Sequence, residues 1–143
     1  MPMIDIHAPA GTFEDPHALA TAAAGTLMRI EEVPDIPMFR DNTAAFVREL
    51  PAQSIADVNG DSRHVRVQVL TNAGALDRDK QLAVVEQLTA LIVETAGDPS
   101  LARRTWVLLT EAAPGGWGLW GHAHTNEELV AAARAEIASL QGS

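Results

Sequence analysis

A proline stands directly behind the initiator methionine of this 143-residue chain, in the opening stretch "MPMIDIHAPAG". Pro2 has two readings. A strand can begin on proline without further meaning, because its missing N–H need not pair at an edge or a first position. Histidines offer a second kind of chemistry: "GHAH" sets His122 and His124 two apart, with His7 and His64 elsewhere, and imidazole is a common zinc ligand. A pair without a fixed third ligand, just ahead of a helix cap, does not define a metal site, and no metal is expected. The carboxylate pairs Glu31–Glu32 and Glu127–Glu128 read as charge at helix ends. The chain has no cysteine, so thiolate catalysis, thiolate metal sites and disulfides are all excluded.

Composition narrows the field. The length suits one domain with a real core. A formal charge of −9 repels polyphosphate, so nucleic acid is not an expected partner. No apolar run approaches the ~18 residues of a membrane span, and the N-terminus lacks the basic start and apolar run of a signal peptide. A cytoplasmic location without membrane contact is expected.

The elements that must position these residues follow from their periods. "MIDIHAP" alternates as a half-buried strand does. Asp15 and Pro16 then make an N-cap and first helical position, with Leu19, Ala23, Leu27 and Ile30 at helical spacing, and Pro34 ends the helix. "NTAAFVREL" (Asn42 to Leu50) reads as a second strand, and "PAQSIADVNGDS" as a polar junction. "HVRVQVLTNAG" carries valine at every second position. Asp77 caps a further helix whose expected inner face is Leu82, Val85, Leu88 and Ile92, stopped by Gly97. "TWVLLTEA" is a fourth strand, "PGGWGLWG" a glycine-rich piece, and Thr125 with Glu128 forms a capping box opening a last helix through Leu140.

Superposing the turn glycines Gly11 and Gly74 brings Pro2 onto Val65, Ile4 onto Val67 and Ile6 onto Val69, a constant offset of 63 residues. The fold class expected is therefore α/β (α+β): one domain over 1–143, with a first β-α-β unit in 1–53, a second with its hairpin in 64–121, and a C-terminal helix in 125–140. Right-handed crossovers lay the helices on one face of a shared sheet. The other face keeps apolar side chains with nothing left in the chain to cover them, which predicts a homo-oligomer.

On "MP" before a strand, the turn "APAGTFED", its recurrence in "VRVQVLTNAGALDRDKQL" and the ending "RTWVLLTEAAPGGWGLWGH", the chain resembles the tautomerase superfamily, the 4-oxalocrotonate tautomerase-like proteins, in their fused two-unit form. The resemblance spans nearly the whole chain and implies a homotrimer. It also gives Pro2 its second reading. Removal of methionine before a small residue turns the proline nitrogen from an amide into a secondary amine, and burial in an apolar pocket lowers the pKa of such a cationic acid toward neutrality, where general acid–base catalysis works best.

The resemblance implies a small carboxylate substrate held by arginine, yet the family's arginines are replaced here by Thr12 and Trp106, with Ala75 at the equivalent place in the second unit. Arg66 and Arg40 are the first candidates to compensate, ahead of Arg48, Arg103 and Arg104. The tyrosine of the dehalogenase members falls at Leu108. Trp117 matches the hydrophobic cover residue of the hairpin, and Trp106 and Trp120 are assigned to packing. His7 and Asp5 share the strand face opposite Ile4 and Ile6, where a polar contact at a subunit boundary is expected. The function implied is cofactor-independent proton transfer by Pro2: tautomerase (isomerase) activity, with decarboxylase or hydratase chemistry as the alternative within the superfamily. From a different class, a non-catalytic ferredoxin-like module that binds a small molecule or partner also fits the missing arginines.

Overall fold

The computed structural model describes residues 1–142. Its main sheet is built from β1 (Met3–Pro9), β2 (Ala44–Leu50), β3 (Val65–Thr71) and β4 (Thr105–Glu111) in the spatial order β2-β1-β3-β4. The two central strands run antiparallel, with Ile4 opposite Val69 and Ile6 opposite Val67, while each outer strand runs parallel to its neighbour. Each parallel pair is a β-α-β crossover, through α1 (Pro16–Glu31) in the first and α3 (Arg78–Ala96) in the second.

Alternation decides which face is dry. Ile4, Ile6 and Ala8 of β1 and Val65, Val67 and Val69 of β3 are buried against Leu19, Ala23 and Leu27 of α1 and Val84, Leu88 and Ile92 of α3. Both helices thus cover one face, and truncating any large member of this layer to alanine costs about 2–5 kcal/mol. The inner face of α3 differs from the sequence reading: Leu82 and Val85 are 50% and 38% exposed. The buried stripe steps by four from Val84, so Leu82 falls on the far side and Val85 on the flank.

β2 begins at Ala44 rather than Asn42 because the two preceding side chains are occupied in ending a short helix, α2 (Pro37–Arg40). Asn42 Nδ2 donates to the Met38 carbonyl and Thr43 Oγ1 to the Phe39 carbonyl, both at 2.7 Å. The junction after β2 is fixed by Asp57, whose carboxylate accepts from the amides of Asn59 and Asp61 and meets His64 Nε2 at 2.8 Å. The Asp61 carboxyl is held well below the usual carboxylate range, chiefly by hydrogen bonds from Arg63 and also by Arg104.

α1 opens as expected, with Asp15 accepting from the Ala18 amide at 3.0 Å. It ends before Pro34 is reached, because Glu32 adopts the left-handed conformation at φ 60°. That conformation crowds a Cβ against the following carbonyl and is the one glycine takes freely. Glu32 is exposed; Glu32→Gly is therefore expected to raise stability by about 0.5–1 kcal/mol, read as a higher urea midpoint at unchanged slope.

The rest of the chain closes over one end of the sheet. β5 (Trp117–Leu119) and β6 (His122–His124) pair antiparallel around Trp120 and Gly121. The last helix, α4 (Asn126–Gln141), opens on the Thr125/Glu128 capping box. The sheet face away from α1 and α3 carries Phe46, Leu70, Trp106 and Leu108, each more than a third exposed, beside Asp5, His7, Arg66 and Gln68. Among the described residues no helix is long and apolar enough to cross a membrane.

Candidate active site

The N-terminus lies inside the protein. Met1 is 3% exposed and packs with Ile36, Met38, Trp117, Leu129 and Ala133 in a second core cluster, apart from the sheet–helix layer. Pro2 is fully buried, and its carbonyl accepts from the Ala44 amide at 3.3 Å, which ties it to the start of β2. The Met1 ammonium donates to both carboxylate oxygens of Glu31, at 3.1 and 3.3 Å. The Glu31 side chain is only 4% exposed. Two buried opposite charges in contact are stable only as a pair, since either one alone leaves an uncompensated charge in an apolar surrounding.

Beside this pair is a cavity of about 420 Å³, walled by Met1 and Glu31, by Val33, Pro34 and Phe39 from the α1–β2 connection, by the turn 72–75 after β3, and by one face of α4. The lining is mainly apolar, with a few polar groups converging on it, the usual make-up of a small-molecule site. Asn72 Nδ2 donates to Asn126 Oδ1 at 3.1 Å and Asn126 Nδ2 to the Ala73 carbonyl at 2.7 Å, which fastens the turn to the start of α4. Glu136 accepts from the Met38 amide at 2.9 Å and holds α4 against α2. Arg134 lines the same cavity, and its guanidinium has no hydrogen-bond or ion-pair partner among the described residues.

The arginines singled out in the sequence lie elsewhere in the chain. Arg66 is exposed on the uncovered sheet face, where Nη2 donates to Gln68 Oε1 at 3.2 Å. Arg40 pairs with Asp35 at 2.9 Å, both well exposed, and lines a separate hollow between α1 and β2. Arg48 stands 4.0 Å from Asp5, so Asp5 turns to β2 rather than to His7 within the chain. Arg104 is bound to Asp61 and to the Arg63 carbonyl. Trp117 does reach the N-terminal cluster, 7% exposed beside Met1, while Trp106 stacks on His64 at 4.4 Å. His122 bonds to Glu128 at 2.6 Å and meets His124 edge to face.

Two cavity residues escaped the sequence reading. Glu31 looked like surface charge because it adjoins Glu32 at a helix end; only the left-handed turn at Glu32 separates them, leaving one buried and the other in water. Arg134 shares a helical face with Val130, Ala133 and Ile137, a spacing visible in the sequence, but not what that face covers.

No family model matches the sequence, and no curated protein does. Solved structures match strongly. A fused 4-OT symmetric trimer is similar over 89% of this chain and 98% of its own, at 15% identity and a TM-score of 0.73. A member of the cis-3-chloroacrylic acid dehalogenase family is similar over 90% of this chain and 88% of its own, at 18% identity and 0.70. A malonate semialdehyde decarboxylase inhibited by 3-bromopropiolate is similar over 85% and 92%, at 20% identity and 0.63. The chain thus has the fold of the tautomerase superfamily in its fused, two-unit form.

Proposed function

We propose that this chain is a cofactor-independent enzyme that moves a proton within a small carboxylate, with the amine of Pro2 as the acid–base group once Met1 is removed. The observation that carries the reading is the buried N-terminus, lodged beside a cavity and facing a carboxylate. A free proline nitrogen there is secondary, rigid in its ring and shielded from water, which suits it to trade protons near neutral pH. Keto–enol tautomerisation of a 2-oxo acid is the simplest reaction this set of groups serves, and proton transfer of this kind calls for no cofactor.

Arg134 is the carboxylate holder we favour, because its guanidinium has no competing partner and a two-pronged contact suits a carboxylate. Arg66 and Arg40 would serve only from a neighbouring protomer. Trp117 packs in the same buried cluster as Met1, where its role would be to shield the amine from water. The exposed apolar residues on the open sheet face support a homotrimer, as the fused 4-OT relatives form. A cytoplasmic setting fits this chemistry.

The test compares two preparations of the same chain: one shown by intact mass to begin at Pro2, and one carrying an uncleavable residue ahead of it. Enol-to-keto conversion of phenylpyruvate enol is expected only in the first. Equal activity in both would remove the amine from the mechanism, and no activity in either would leave a binding module of this fold.

A further inference from the structure

We infer that Glu31 is a second proton-transferring group in this site, opposite Pro2, and that Met1 marks the position of the substrate's hydroxyl. The inference rests on the proposed role of Pro2. Glu31 accepts two hydrogen bonds from the Met1 ammonium, and among the described residues its carboxylate has no other partner. Removing Met1 takes away that partner together with a buried side chain. A carboxylate that is 4% exposed then faces the space left behind, and a buried charge so placed requires a new donor.

The geometry of the peptide supplies the rest. The nitrogens of Met1 and Pro2 are three bonds apart, roughly 3 Å. An O–H group occupying the site of the lost ammonium therefore touches Glu31 while the atoms bonded to it lie against the Pro2 nitrogen. Arg134 lines the same cavity and takes the carboxylate. A 2-hydroxy-enol monocarboxylate, the enol of a 2-oxo acid, presents these groups in that order.

The step balances without a further reactant. The Glu31 carboxylate removes the enol O–H proton, and the oxygen electrons close the C=O bond. The C=C electron pair takes a proton from the Pro2 ammonium, forming the new C–H bond. Glu31, now neutral, returns its proton to the Pro2 amine. The other charges near Glu31 are Lys80 of α3, whose Nζ donates to its backbone carbonyl at 3.1 Å, Arg134 of α4, and the adjacent Glu32. Because Glu31 is an anion beside the reacting enol, a substrate with a second carboxylate on the neighbouring carbon is repelled, so the site selects monocarboxylates.

Glu31→Gln keeps shape and donor-accepting oxygen but cannot take up a proton. With Met1 removal verified by intact mass in every variant, Glu31→Gln is expected to lower kcat on phenylpyruvate enol about 10²-fold with KM little changed. It should also abolish the acidic limb of the pH–rate profile and raise the relative rate with the enol of oxaloacetate, a dicarboxylate. Glu31→Asp should recover part of kcat and the acidic limb; it serves as the test if the glutamine variant does not fold, and an aspartate variant with an unaltered profile then overturns the inference. A fully active glutamine variant with an unaltered profile overturns it too, and leaves the Pro2 reading standing when Pro2→Ala is inactive. Full activity in Pro2→Ala overturns both.

Discussion

Replacing Pro2 by alanine is expected to lower kcat/KM for phenylpyruvate enol by at least ~10²-fold, with fold and oligomer unchanged. Alanine at position 2 still allows removal of Met1 and still leaves an amine, so the variant does not simply delete a base. What it deletes is the ring. In proline the nitrogen lone pair is fixed relative to the backbone, and here that backbone is anchored by the Ala44 amide on the Pro2 carbonyl. A primary amine on alanine turns freely, is better hydrated and abandons the contacts of a fully buried ring, so its proton is presented in the reactive orientation only part of the time. The measurement is initial rate against enol concentration, with circular dichroism and sedimentation as controls. A variant within a few-fold of the parent would show that the ring and its nitrogen are bystanders.

The second large effect concerns the open sheet face. Trp106 and Leu108 are neighbours two apart on β4, both pointing away from the helices, 47% and 43% exposed. Across the sheet the same face presents Leu70 and Phe46. Charges introduced at the centre of such an apolar surface are buried without partners on assembly, at a cost of several kcal/mol for each subunit contact. The double variant Trp106→Glu with Leu108→Glu is expected to run as a monomer at micromolar concentration, where the parent is expected to sediment as the proposed trimer. Neither residue touches the sheet–helix core, so the monomer should keep its secondary structure. A trimer unaffected by both charges would mean that subunits meet on another surface.

Much of this fold can be read from residue order. The alternation in β1 and β3, the caps at Asp15, Asp77 and Thr125, and the 63-residue offset between Gly11 and Gly74 are local signals, and each corresponds to an observed element. Pro2 and Trp117 stand out because their residue types are unusual where they occur. The remainder of the proposed site is tertiary. Glu31 and Arg134 are about a hundred residues apart, on different helices, and what joins them is the packing of α4 across the end of the sheet beside Met1. A charged residue on an amphipathic helix has the same sequence signature whether it meets water or a cavity wall. Arg66 and Arg40 attracted attention by nearness to the strands, but strand alternation turns Arg66 to the open face, and Asp35 draws Arg40 outward.

The antiparallel pairing of β1 with β3 relates the two halves of the chain by a near twofold, under which Pro2 corresponds to Val65. At Val65 the nitrogen is an ordinary amide, donating to the Arg104 carbonyl at 2.9 Å. The repeat therefore shares the scaffold but not the terminus, and under the proposed function each polypeptide has one reactive proline and one silent image of it. Exhaustive labelling with an amine-seeking 2-oxo alkyne should accordingly stop at a single adduct per chain.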